Sequence, residues 1–95
     1  MTEHDNMTEA FIILQEECAE VVQAVSKAFR FGLNNRLDDG PSKKEMLESE
    51  IGDLLCIVDI LIEKAILSDG NINGAKKAKR EKLKRWSNLD LKDKE

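Results

Sequence analysis

The chain is poor in the residues that build sheets and stiff scaffolds: aromatics make up 4%, tyrosine is absent and there is one proline. That argues against a β-sandwich or barrel, whose strands draw on aromatic and β-branched side chains. Histidine occurs once, as His4, in a polar N-terminal stretch expected to fray, which makes it a poor base or metal ligand. The two cysteines, Cys18 and Cys56, lie in different segments with no CxxC and no histidine nearby. Small buried hydrophobes are expected there, not a disulfide or a zinc site. Residues 1–5 lack the basic and apolar regions of a signal peptide. The most apolar run, 51–67, is interrupted by Asp53, Asp59, Glu63 and Lys64 and does not read as a membrane span. A cytoplasmic protein is the expectation.

What the chain does have is charge and helical periodicity. Its 95 residues suit one small domain, with 36% charged residues among aliphatics in long periodic runs. The formal charge is −4, but residues 74–86 carry seven basic side chains against Glu81. That basic stretch is +6 and the remainder −10, a division suited to a metal plus a polyphosphate rather than to nucleic acid.

The expected fold is all-α. A first helix spans about 7–31, capped near Asn6 or Thr8 and stopped by Gly32, with an apolar stripe of Phe11, Leu14, Val21, Val25 and Phe29. A loop runs to Pro41, and Ser42-Lys43-Lys44-Glu45 reads as a capping box. The second helix is expected over 43–68 and a short basic third over 72–86, followed by a mobile charged tail, 87–95. The second helix is apolar on two sides, with Leu47, Ile51, Leu55, Val58 and Ile62 opposite its other stripe. One protomer has too little to cover both. A homo-oligomer with a four-helix-bundle-like core follows, a dimer or a dimer of dimers.

Both long helices carry acids in the middle of their apolar faces. At about 100° per residue, Ile13, Leu14, Val21, Ala24 and Ala28 fall within about 60° of Glu17, and Met46, Ile57, Ile60 and Leu67 within about 60° of Asp53. Glu20 and Glu50 lie three residues from these two, on neighbouring positions. A carboxylate taken out of water needs compensation. A shared divalent cation between antiparallel helices is one answer, Mg²⁺ or Mn²⁺ by the hardness of the oxygens. Pairing with Lys27 or Lys64 is another. Glu16 sits at the border of the face, and Glu9, Glu48 and Glu63 read as solvated charges.

Glu16-Glu17-Cys18-Ala19-Glu20 followed by Glu50-Ile51-Gly52-Asp53 resembles the EExxE…ExxD signature of the MazG-like all-α nucleoside triphosphate pyrophosphohydrolases. The run from Gln15 to Gly32 resembles small phage- and bacterium-borne members, and Lys82-Leu83-Lys84-Arg85 resembles the family's late K-x-x-R. The 29 residues separating Glu20 from Glu50 are slightly long for the family, and the excess falls in the loop.

The resemblance implies hydrolysis of a nucleoside triphosphate between its α and β phosphates, with Glu17, Glu20, Glu50 and Asp53 as Mg²⁺ ligands and nucleotide-pool housecleaning as the role. Beside it stand Glu16 as a general-base candidate, Lys27, Arg30, Lys82 and Arg85 as phosphate contacts, and Phe31 and Trp86 as the aromatics available to stack on a base. A non-catalytic helical dimer that binds metal or nucleotide as a regulator is the alternative from another class. A basic-helix nucleic-acid binder is a third, recognisable by steep salt dependence.

Overall fold

The computed structural model describes the backbone over residues 3–92 and the side chains from residue 6 onward. His4's side chain and residues 93–95 therefore lie outside the described residues. Three helices follow one another: α1 (Glu3–Phe31), α2 (Lys43–Glu63) and α3 (Asp69–Trp86). There is no strand among the described residues. Only one isolated antiparallel bridge, between Arg36 and Ser42, interrupts the helical pattern.

The connection between α1 and α2 explains why they form a hairpin. Gly32 takes φ 90° and its amide donates to the Ala28 carbonyl at 2.9 Å, ending α1 where a side chain would be strained. Ser42 then caps α2 as expected: its hydroxyl accepts from the Glu45 amide at 3.1 Å, and its own amide donates to the Glu45 carboxylate at 2.9 Å. Two further bonds tie the loop to the new helix, from Lys43 N to Asn35 O and from Lys44 N to Leu33 O, each 2.8 Å. Arg36 adds an ion pair with Glu45 at 3.4 Å. This pair is exposed on both sides and contributes little by itself.

The seam between α1 and α2 is the core. Ala10, Ala24, Ile57 and Leu61 are buried, Leu61 completely, with Leu14, Leu54, Ile60, Ile66 and Leu67 packed around them. Alanines on α1 let α2 approach closely, and of the apolar stripe centred on Glu17 the residues Leu14, Val21, Ala24 and Ala28 face inward while Ile13 is exposed at its edge. The expected first-helix stripe divides in two. Leu14 and Val21 lie toward the seam, whereas Phe11, Val25 and Phe29 are exposed, Phe29 at 87%. Cys18 and Cys56 are likewise exposed and free, correcting the expectation of buried thiols. Each sits off the seam, since Cys18 is about 100° round α1 from Glu17.

The helix boundaries differ from expectation in an instructive way. α1 begins at Glu3, so neither Asn6 nor Thr8 caps it. α2 stops at Glu63, short of the expected Ser68. Ala65 there adopts φ 58°, the Ala65 amide donates to Ile62 O and the Ile66 amide to Leu61 O, each at 2.9 Å. This is a Schellman closure with alanine in the position glycine usually takes, and Ile66 folds back onto the core. Ser68 then caps α3, accepting from the Asn71 amide at 3.1 Å.

α3 scarcely touches the hairpin. The radius of gyration is 16.7 Å, against about 12 Å for a compact domain of this length. Residues 87–92, expected to be a free tail, lie back on α3: the Ser87 hydroxyl donates to Leu83 O at 2.6 Å and the Arg80 guanidinium donates to Lys92 O.

The hairpin is two-faced. In an antiparallel pair the helices rotate in opposite senses when viewed from one end. Phe11, Val22, Val25 and Phe29 on α1, about 100° from the seam, therefore share one side with Leu47, Ile51, Leu55, Val58 and Ile62 on α2. Val22 is 68% exposed and Leu55 56%. Glu16 and Glu20 turn to the opposite side by the same construction. Asp53, expected in the middle of the inward face of α2, is instead exposed, because the buried Ile57 and Leu61 lie about 40–80° round the helix from it. No helix is long and apolar enough to cross a membrane.

Candidate functional site

Equal rise along antiparallel helices pairs α1 and α2 as rungs, Glu17 with Asp53, Glu20 with Glu50, Ala24 with Met46 and Lys27 with Lys43, in keeping with the residues that share the carboxylate cluster and the adjoining cavity. On the first rungs the carboxylates converge. One oxygen each from Glu17, Glu50 and Asp53 lies within 4.8 Å of the others. Glu17 and Glu50 are half-buried and Asp53 is exposed. The Glu17 Oε2 atom is shut off from solvent and has no hydrogen-bond partner.

An unsatisfied buried carboxylate oxygen is costly, and here it faces further negative charge rather than a donor. Burial first, then the Asp53, Glu50, Glu20 and Glu16 carboxylates, push Glu17 above its ordinary pKa. Neither Lys27 nor Lys64 forms an ion pair with it. The lysine alternative left open by the periodicity is thus not realised. Three hard carboxylate oxygens at this spacing, with a Glu17 oxygen left unpartnered, fit a hard divalent cation.

The remaining expected site residues are placed unequally. Glu20 is exposed and stands outside the tightest cluster, but it lines a small cavity that opens beside Glu50. Gln23, Ala24, Lys27, Lys43 and Met46 complete that cavity, whose volume is about 50 Å³. Glu16 is exposed, next to Glu17 in sequence and toward the outer acidic side. Arg30 lies over the Phe31 ring, its guanidinium carbon 5.1 Å from the centroid, instead of lining the cavity.

Lys82 and Arg85 line a separate hollow on α3 with Glu81 and Lys84, to which neither α1 nor α2 contributes. Trp86 is 80% exposed at the end of α3. One chain therefore does not bring the basic arm to the carboxylates.

Lys43 is the residue that sequence reasoning missed. It follows the N-cap, where a lysine ordinarily projects into solvent, yet it is half-buried and faces the cavity across from Lys27. Its ammonium also lies 5.5 Å from the Phe31 ring centroid. The rung arithmetic carries the signal: Lys27 is ten residues after Glu17, and Lys43 ten before Asp53. In antiparallel helices of equal rise, that pairs them at one level.

Comparison with known proteins agrees with the acidic motifs. A family model described as the MazG nucleotide pyrophosphohydrolase domain matches residues 5–85, spanning both acidic segments and the basic arm. No curated protein and no solved structure matches the chain. With the family model covering most of its length and the acidic motifs meeting at one seam, the chain belongs to the MazG nucleotide pyrophosphohydrolase domain family.

Proposed function

We propose that the chain is a Mg²⁺-dependent nucleoside triphosphate pyrophosphohydrolase that converts (d)NTP and water to (d)NMP and pyrophosphate. The family membership supports nucleotide pyrophosphohydrolase activity in general. The observation that carries the metal dependence is the orphaned Glu17 oxygen within the Glu17, Glu50 and Asp53 cluster.

Those three residues, with Glu20 beside them, would hold the cation. A divalent ion there supplies neutralisation of polyphosphate charge and a lowered pKa for water. The protein's own part is to orient and to move a proton. Water attacks the α-phosphorus, the α–β bridging P–O bond breaks, and its electron pair leaves with pyrophosphate. Glu16, exposed beside the cluster, is the carboxylate we assign to accept the water's proton. Lys82 and Arg85 would have to reach the phosphates from the α3 of a second copy, since their own α3 stands away from the seam.

A homo-oligomer is part of the same reading. The exposed apolar side formed by Phe11, Val22, Val25 and Phe29 with Ile51 and Leu55 is large for a free surface. Packed against the same side of a second copy, it becomes the interior of a four-helix bundle. The carboxylate sites then face outward, one per protomer, toward the free nucleotide of the cytoplasm.

The deciding experiment incubates the full chain with each dNTP and Mg²⁺ and measures monophosphate and pyrophosphate. Equimolar products are expected, abolished by EDTA and by Asp53→Asn or Glu17→Gln. Full activity in both variants would show the site to be elsewhere. Nucleotide binding without turnover in the wild type would favour a regulator instead.

A further inference from the structure

We infer that Lys27 and Lys43 form the receptor for the leaving pyrophosphate, so that the triphosphate lies along the α1–α2 seam with its phosphate tail toward the interhelical loop. The identity of the ligand rests on the pyrophosphohydrolase reading; the polarity is argued from three further observations.

The first is charge. Among the described residues neither Lys27 nor Lys43 makes an ion pair, although Glu20 and Glu50 line the same cavity. Two lysines without a carboxylate partner line one small space from opposite helices, with the Lys43 ammonium held only by the Phe31 ring. An anion answers both.

The second is size. About 50 Å³ has room for roughly three or four water molecules, enough for a phosphoryl group. A nucleoside needs several times that space. The cavity is therefore the phosphate end of the site rather than the base pocket. Because Glu50 belongs both to the cavity wall and to the carboxylate cluster, the next phosphate along is the one beside the cluster.

The third is Phe31. Its ring already carries the Arg30 guanidinium and the Lys43 ammonium. That occupancy leaves it poorly suited to stack on a base, and it places Lys43 at a resting position beside the cavity. An exposed cation–π contact is weaker than a charge-assisted bond to phosphate, so an arriving pyrophosphate draws Lys43 off the ring. When the α–β bond breaks, the electron pair departs onto the β-phosphate oxygen. The two ammonium groups offset that charge where it develops.

The test is calorimetric titration of two probes into the full chain with Mg²⁺: inorganic pyrophosphate and, separately, deoxyadenosine monophosphate. Lys43→Met and Lys27→Met should each weaken pyrophosphate binding by about tenfold or more, and monophosphate binding by less than about threefold. Lys43→Arg should restore most of the loss. Lys44→Met, which makes the same charge change one residue away from a side chain outside the cavity, should leave both titrations unchanged. Circular dichroism verifies that each variant is folded.

A wild type that does not bind pyrophosphate overturns the inference, as does loss of monophosphate binding with pyrophosphate binding intact. Pyrophosphate binding requires no turnover, so the two readings fail separately. A wild type that binds pyrophosphate through Lys43 but hydrolyses no triphosphate refutes only the catalytic reading. An active enzyme whose Lys43→Met variant keeps its KM and its pyrophosphate affinity refutes only this one.

Discussion

Truncating Leu61 separates what one chain provides from what a second copy adds. Leu61 is the completely buried side chain at the centre of the seam. Leu61→Ala removes three carbons, about 2.4 kcal/mol at about 0.8 kcal/mol for each. Neighbours drawn from two rigid helices collapse only partly into the space, which raises the cost to about 3–4 kcal/mol. A chain of 95 residues has a stability of about 5–14 kcal/mol, so a substantial fraction is lost. With an unfolding entropy of about 2.1 cal/mol/K per residue, the midpoint should fall by about 15–20 °C. Phe29→Ala is the matched comparison. At 87% exposure, in an isolated chain it should change stability by less than about 0.5 kcal/mol. In a two-copy bundle the same change should cost several times more and make the midpoint depend on protein concentration. Differential scanning calorimetry across a hundredfold concentration range, with sedimentation equilibrium alongside, reads both. A loss below about 1 kcal/mol for Leu61→Ala would refute the seam as the core. A silent Phe29→Ala in a chain that sediments as a monomer would refute the apolar-side pairing.

Three further outcomes are expected. Glu17→Gln should raise the thermal midpoint of the metal-free protein at neutral pH while abolishing Mg²⁺-dependent turnover. Because the folded pKa of Glu17 is raised, its stabilising share is full below the unfolded value of about 4.5 and is lost as pH rises through the raised folded value. The wild-type advantage of acidification should therefore vanish in the variant, as read by urea melts from pH 4 to 8. Ser42→Ala should cost about 1 kcal/mol by chemical denaturation. It also removes the side-chain hydrogen bond that lowers the Glu45 pKa but keeps the larger cause, the bond from the residue 42 backbone amide, so the stability lost as pH falls through that lowered value should shrink only in part. Ala65→Gly should stabilise by about 0.5–1 kcal/mol, because glycine accepts the φ of 58° without strain; a loss would mean that the closure after α2 is not as described.

Much of the hairpin was legible because its signals are local. The Ser42–Glu45 capping box and Gly32 are read residue by residue, and the inward placement of Glu17 follows from periodicity alone, whereas Asp53, read in the same way, is exposed at the edge of the seam. The end of α2 was not legible, because Ala65 takes a backbone conformation its side chain does not advertise, and the apolar residues Ile66 and Leu67 continue the helical pattern beyond it. Glu20 illustrates a second limit: angular position places it beside Glu17 but cannot say that its carboxylate falls outside the tightest cluster. Lys43 shows a third, since its importance depends on register between helices rather than on its own neighbours. Phe29 and Val25 read as part of the first helix's apolar stripe, and only the position of α2 reveals that they face away from it.

The cap at Ser42 also determines where the gene can absorb insertions. Because the capping box and the Lys43 and Lys44 amide bonds to Asn35 and Leu33 set the phase of α2 from its first turn, residues added between Leu37 and Gly40, outside those bonds, would lengthen a surface loop and leave the carboxylates in phase. A single residue inserted between Glu45 and Glu50 would instead turn Glu50 and Asp53 by about 100° relative to that anchor, carrying them out of reach of Glu17. Length variation should therefore be tolerated on one side of Ser42 and lethal to the site a few codons later.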